Sequence, residues 1–307
     1  MKSTHWVTIA LTLLLGLLPI SLVACGVDSP SASSPPSLTS EEPIATSDST
    51  PLAITAANRV VALTPLTADI VQQLDRQKLV GIPGNELLRQ DTRFAGITTV
   101  SGGQTPPNLE QIIALEPDFV VGAAGFHDQV LQRLEALNID TLLTNVDSWQ
   151  SLNRLTQTLA TAIDADPKPL LNRYETFLSD LPQSAKSTLV LISQQPILSP
   201  NKTSWAGDLL RQFRAKNLTA ELQGQSPFGG YITLSPEKIL EANPEILILV
   251  DTGDNILQQF QSQPFWSQLQ AVKDDRIHVF DYYGLVNPGS IGKIEQACTQ
   301  LRAALSS

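Results

Sequence analysis

The sequence predicts an α/β protein built from two related lobes, and three observations carry that prediction. A Glu-bearing motif that turns from helix into strand occurs twice, as Pro107-Asn-Leu-Glu110-Gln-Ile-Ile-Ala-Leu-Glu-Pro117-Asp-Phe-Val-Val121 and as Leu234-Ser-Pro-Glu237-Lys-Ile-Leu-Glu-Ala-Asn-Pro244-Glu-Ile-Leu-Ile-Leu249. Short apolar runs alternate with amphipathic stretches through both halves, as parallel strands with helices on their faces require. Between the halves, Leu170, Leu171, Tyr174, Phe177, Leu178 and Leu181 form one apolar stripe at helical spacing, which marks a connecting helix. In each copy of the motif a residue that favours helix starts precedes a Glu in the first turn. An apolar pair follows, and a Pro then ends the helix and launches an apolar strand. The copies stand too far apart for a solenoid repeat and at about the spacing of two lobes.

The chain begins with Lys2 and an apolar run from Trp6 to Ala24 that closes on Leu22-Val23-Ala24-Cys25-Gly26, an export signal assigned to residues 1–24. The run is nearly long enough to remain as an uncleaved anchor. A small residue directly before a Cys, however, resembles the bacterial lipobox and favours lipid attachment at Cys25. Residues 25–54, dominated by Ser, Pro, Thr, Ala and acidic side chains without an apolar period, read as a flexible tether. The mature chain is thereby expected in the periplasm or at the cell surface, lipid-anchored to a membrane. The other cysteine, Cys298, shares a helical stripe with Ile291, Ile294, Leu301 and Leu305 and reads as a small core residue, so no disulfide framework is expected.

With 307 residues, 42% hydrophobic and 16% charged, the chain has material for a sizeable core. Its 30 acidic against 20 basic residues, a net charge of −10, argue against a nucleic-acid surface and leave small ligands or proteins as partners. There is no Gly-x-Ser-x-Gly elbow, no phosphate-cradling Gly-Lys-Ser/Thr loop and no His-Glu-x-x-His pair, so the chain reads as a binder and not an enzyme.

Arg59-Val60-Val61-Ala62-Leu63 reads as a strand that stops at Thr64-Pro65, and Ala68 to Leu74 as a helix; Leu79 to Ile82 is a second strand, ending at Pro83-Gly84-Asn85. The first motif copy supplies a helix and the strand Asp118 to Val121. Leu131, Leu134 and Leu137 mark a helix, Thr141 to Leu143 a strand and Ser148 to Ile163 a further helix, completing a first lobe at 55–166. Asp166 and Pro167 open the connecting helix, assigned to 167–184, whose stretch to Leu181 spans roughly 22 Å at 1.5 Å per residue. In the second lobe, 185–307, strands are read at Leu189 to Ile192, Ile246 to Val250 and Arg276 to Phe280. Trp205 heads an amphipathic stretch to Phe213, and Ser226-Pro-Phe-Gly-Gly-Tyr231 reads as an exposed loop with two aromatics.

Ligands of open parallel sheets bind beyond the carboxyl ends of the strands. The cleft is therefore expected from loops that begin at Thr64, Pro83, Gly122 and Asn145, and from Gln194, Trp205, Phe228 to Tyr231, Asp251 and Tyr282-Tyr283. The Gly122-Ala-Ala-Gly125 loop lacks the full Gly-x-Gly-x-x-Gly pattern and reads as a tight turn.

The opening Arg59-Val-Val-Ala-Leu-Thr-Pro, both Glu-bearing motifs, and Pro264-Phe-Trp-Ser-Gln-Leu-Gln-Ala-Val-Lys273 followed by Arg276 to Phe280 occur in a telling order. Together they resemble the substrate-binding proteins of bacterial ABC importers for iron chelates and vitamin B12. The resemblance implies two Rossmann-like lobes joined by a single long helix, as in helical-backbone metal receptors, with a ligand held between them and little closure on binding. It implies that Glu110 and Glu237 dock to arginines of the permease; both carboxylates also favour their own helix dipoles by ~0.3–1 kcal/mol. The implied partners of a monomeric chain are an ABC permease with its ATPase and a small-molecule metal chelate, with no intrinsic cofactor. A ferric siderophore is the favoured cargo. Cobalamin or another cobamide, or haem, is the alternative, and an anchored sensor or assembly lipoprotein on the same lobes is the non-transport reading.

Large flat ligands are gripped by aromatics, so Trp205, Tyr231 and Tyr282 are the leading wall residues, with Trp149 and Phe228 behind them and Pro65, Asn85 and His127 from the first lobe. Each aromatic equally fits ordinary lobe packing, and Trp266 reads as core. A bare metal ion is not expected, since His127 and His278 are the histidines of the mature chain. His127, beside Asp128, fits a satisfied loop histidine as well as a group that bonds a chelate. Asp128, Asp251, Asp254 and Asp281 lie in or near the loops, whereas Arg89, Arg93 and Lys202 are the few bases within reach. That balance points to a neutral or cationic ligand and away from ferric citrate or a tricatecholate.

Overall fold

Strands that are apolar on both faces need cover on both faces, and this chain supplies it with two parallel sheets flanked by helices. The computed structural model describes residues 56–306 apart from 103, 104, 184, 225, 227 and 254. The export signal, the tether, Cys25 and Asp254 lie outside the described residues.

The first lobe runs β1 (Val60–Ala62), α1 (Pro65–Asp75), β2 (Leu79–Ile82), α2 (Glu86–Arg89), β3 (Thr98–Thr99), α3 (Leu109–Ala114), β4 (Phe119–Ala123), α4 (Asp128–Glu135), β5 (Asp140–Thr144) and α5 (Trp149–Ala162). Its strands form one parallel sheet in the order β3-β2-β1-β4-β5. The winding reverses between β1 and β4, so their carboxyl ends frame a crevice. Helix α6 (Lys168–Phe177) then leads to β6 (Ser187–Leu191), β7 (Leu198–Pro200), α7 (Trp205–Gln212), β8 (Lys216–Asn217), β9 (Tyr231–Thr233), α8 (Pro236–Ala242) and β10 (Ile246–Asp251). The chain closes with α9 (Ile256–Gln261), α10 (Gln270–Lys273), β11 (Ile277–Asp281), α11 (Tyr282–Leu285) and α12 (Ile291–Ser306). The second sheet is parallel in the order β11-β10-β6-β8, and β7 pairs antiparallel with β9 in a separate ribbon.

Alternation along the strands sorts side chains between cores. Val60, Ala62, Phe119 and Val121 face one core, while Val61, Leu63 and Val120 face another. In β10, Ile246, Ile248 and Val250 join the first core and Leu247 and Leu249 a third. The first core also collects the apolar faces of α1, α5, α6, α7 and α12, drawn from both lobes, and the described residues accordingly make one compact unit.

Two differences from the sequence reading have local causes. Helix α6 is 10 residues long, about 15 Å by helical rise, and so shorter than the 167–184 assigned to it. The chain leaves helical geometry at Leu178 and Asp180 turns left-handed (φ 50°), while Leu178 and Leu181 still pack against the shared core; the apolar stripe outruns the helix. Tyr231 belongs to β9 and not to the preceding loop, because it pairs with Pro200.

The repeated motif maps onto α3–β4 and α8–β10. Asn108 and Ser235 cap the two helices by accepting the N–H of Gln111 and of Lys238. Each helix is followed by a left-handed residue directly before its Pro, Glu116 (φ 47°) and Asn243 (φ 34°). Glu110 and Glu237 are exposed in the first turns. The Asn108 N–H donates to the carbonyl of Val100, just past β3, and that of Leu234 to the carbonyl of Ile197, in the turn after β6. Both helices therefore start at the carboxyl ends of their sheets.

Candidate functional site

Two adjoining cavities of about 820 and 560 Å³ open where the carboxyl ends of the sheets meet. They share Phe126, Asn145, Val146, Asn287 and Pro288 and thus form one cleft between the lobes. The first lobe contributes Leu63 to Thr67 after β1, Ala123 and Ala124 at the end of β4, and Thr144 to Val146 at the end of β5. The second contributes Ile192 and Ser193 after β6, the start of α7, the Phe228 to Tyr231 segment and Tyr282. The crevice at the reversal of the first sheet is thus part of the wall.

Trp205, Phe228, Tyr231 and Tyr282 line the larger cavity, and Pro65 and His127 the smaller. Trp205 presents little of itself: it is 3% exposed, and its indole N–H donates to the Gly284 carbonyl at 3.0 Å. Trp149 is in neither wall. It is buried behind Trp205, ring stacked on ring at 6.0 Å and 20°. Asn85 also lies elsewhere, capping α2 through Leu87 N–H at 2.8 Å and donating from Nδ2 to the Tyr283 hydroxyl of the other lobe at 3.2 Å. Its position just after β2 suggested a wall residue, but its polar groups are taken up by the cap and the lobe contact. Sequence reasoning passed over Phe126, which lines both cavities and is 85% exposed. A bulky aromatic between Gly125 and His127 in a strand-end loop was the available signal.

The walls carry little charge, and what they carry is negative. Among the described residues, Asp147 is the one charged side chain in the walls of the two cavities. The three bases expected within reach are engaged by carboxylates: Arg89 by Glu86, Arg93 by Asp91 and Asp69, and Lys202 by Glu221. The backbone N–H of Ala123 donates to His127 Nδ1 at 2.9 Å, which fixes the ring hydrogen on Nε2. Burial holds the His127 pKa below the usual histidine value, so the ring is a neutral donor that offers no free lone pair to a metal. Burial likewise pushes the Tyr231 phenol up, and its hydroxyl donates to the Val286 carbonyl at 3.3 Å. Phenolate ligation of iron is disfavoured there. No group of three or more His, Cys, Asp or Glu side chains able to hold a metal ion comes together among the described residues.

The profile of the periplasmic binding protein family matches residues 60–282, a span that includes both sheets and most of the cleft. The chain belongs to the periplasmic binding protein family. Like other members, this periplasmic binding protein is an extracytoplasmic solute binder and not an enzyme. Among its relatives, the iron-uptake system-binding protein of Bacillus subtilis is 24% identical over 296 residues, covering 88% of this chain and 90% of that one. The vitamin B12-binding protein of Salmonella typhimurium is 22% identical over 262 residues, 82% of this chain and 92% of that one. Among solved structures, the periplasmic heme-binding protein HutB of Vibrio cholerae matches with a TM-score of 0.67 at 18% identity, over 81% of this chain and 99% of that one. This likeness shows a common fold. No helix among the described residues is long and apolar enough to cross a membrane.

Proposed function

We propose that this protein captures a bulky, uncharged or cationic chelated-metal compound, a ferric siderophore in the first place, and delivers it to an ABC importer. The make-up of the cleft carries the reading: aromatics from both lobes, Phe126 on one side and Phe228, Tyr231 and Tyr282 on the other, stand among neutral hydrogen-bonding groups such as Thr64, Thr144, Asn145, His127 and Asn287. Apolar faces grip a bulky ligand, and a few neutral donors and acceptors orient it. A ferric citrate or tricatecholate, by contrast, calls for Arg forks or Lys charges at the contact. Cobalamin and haem are the competing cargoes for the same walls; haem is the less suited, since Tyr231 and His127 have their ligating atoms engaged.

Glu110 and Glu237 serve in this reading as the permease-docking charges, one per lobe. The neighbouring Ser235 hydroxyl holds the Glu237 carboxyl below the usual carboxylate value, and an exposed carboxylate is free to accept an Arg fork. Lipidation of Cys25 holds the monomer at the membrane, and replacing Cys25 with Ala should release it into the soluble fraction. The test of the cargo is thermal unfolding against ferric hydroxamates, cobalamin, haem and ferric citrate. A true cargo at 100 times its Kd stabilises by about 2.7 kcal/mol, and a neutral chelate is expected to do so. Stabilisation by ferric citrate alone overturns the charge argument, and silence across the panel favours a sensor or assembly role.

A further inference from the structure

The two lobes exchange helix caps. Helix α5 opens on Ser148, whose hydroxyl accepts the N–H of Ser151, and α12 opens on Ser290, whose hydroxyl accepts the N–H of Lys293, each at 3.2 Å. The first N–H of each helix goes to the opposite lobe. That of α5, on Trp149, donates to Asp208 Oδ2 on α7 at 2.8 Å. That of α12, on Ile291, donates to Asp69 Oδ2 on α1 at 2.7 Å. Both carboxylates are deep, Asp69 at 0% and Asp208 at 5% exposed. Each is also gripped from its own lobe, Asp208 by Arg211, and Asp69 by Gln73 at 3.0 Å and by an ion pair with Arg93 at 3.0 Å.

A buried carboxylate is costly unless it is paired, and the positive end of a helix is a fitting partner for it. The correspondence is internal to the fold: the donors of the carboxylates are early helices of their lobes, and the recipients are the last helices. Location gives the exchange its meaning. The residues just ahead of the capped helices, Asn145 to Asp147 and Asn287 to Gly289, line the cleft, and Asn145, Val146, Asn287 and Pro288 stand where its two cavities join. Each carboxylate thus pins, from across the seam, the end of a cleft-lining segment.

We infer that Asp69 and Asp208 are reciprocal positioning residues: each fixes the cleft-lining segment of the opposite lobe, and the pair together sets the gape of the cleft. Neither touches the ligand. Because both contacts act on one separation, weakening either loosens both.

Amide hydrogen exchange on the full chain without ligand tests this. In Asp208→Asn the Trp149 amide, and in Asp69→Asn the Ile291 amide, should exchange about 10-fold faster or more. The deciding signal is the distant one, read against core amides of β10 such as Ile248: Ile291 should also accelerate in Asp208→Asn, and Trp149 in Asp69→Asn, by more than those core amides do, whereas an equal rise at all of them is loss of global stability and overturns the inference. Acceleration confined to the amide whose own carboxylate was changed, or none at either, overturns the inference. Should a variant fail to fold, the unmutated protein decides: the two amides must open in one event with a common urea slope smaller than that of global unfolding, and different slopes, or the global slope at both, reject the idea.

Discussion

Trp205 shows how one side chain serves packing and cleft at once, lining the wall while its ring is stacked on Trp149 and its indole N–H is held by the Gly284 carbonyl. Truncation to Ala should cost ~3–5 kcal/mol in chemical denaturation, as for other buried aromatics. A loss below ~1 kcal/mol would mean the ring is a surface fixture after all. His127 gives a pH prediction. Burial depresses its folded pKa, and that of His278, below the unfolded value near ~6.5. The unfolded chain then takes up protons first, so this contribution to stability is full above that pH and shrinks as pH falls through it. Thermal midpoints of a variant with both His127→Asn and His278→Asn should decline less steeply between about pH 7 and 5 than those of the parent. Equal slopes would reject the account. Wall aromatics such as Tyr282 were legible because they follow strand ends directly. Trp149 and Asn85 were misplaced because strand-end position does not say whether a side chain turns to the cleft or to the other lobe.

At the scale of elements, α7 owes its place to a residue without a side chain. A Cβ on Gly207 would fall 1.8 Å from the Asn201 carbonyl oxygen, so the first turn of α7 lies directly on the preceding loop. Gly207→Ala should destabilise by ~1–3 kcal/mol, read as a lowered urea midpoint, because the backbone must shift to admit the methyl. A neutral or stabilising outcome, the usual result of Gly→Ala inside a helix, would show that the loop yields freely. The elements themselves were largely readable: continuous apolar runs became β1, β4, β6 and β10, and the Asn108 and Ser235 caps opened the motif helices. The ribbon of β7 and β9 was not, since three-residue strands that pair across 30 residues of chain leave no periodicity to detect.

For the molecule as a whole, the paired glutamates make a prediction about transport. Reversing both, as Glu110→Lys and Glu237→Lys, should abolish uptake by cells while the ligand-induced thermal shift stays that of the parent. Lost ligand affinity would instead place the glutamates at the cleft. Lobe number and sheet type were legible because duplication and alternation are properties of the linear chain. The shared core was not, because nothing in the pattern of α1 or α12 tells whether its apolar face meets its own sheet alone or the other lobe as well.

The stacked pair Trp149 and Trp205 has an optical consequence. The two indoles come from opposite lobes and lie with ring planes 20° apart. Such a pair couples electronically, and its near-ultraviolet circular dichroism and fluorescence depend steeply on the separation of the rings. The protein therefore carries an intrinsic reporter of its own gape, placed so that an absorbing iron complex bound in the cavity that Trp205 lines would darken it, and readable without attaching a dye.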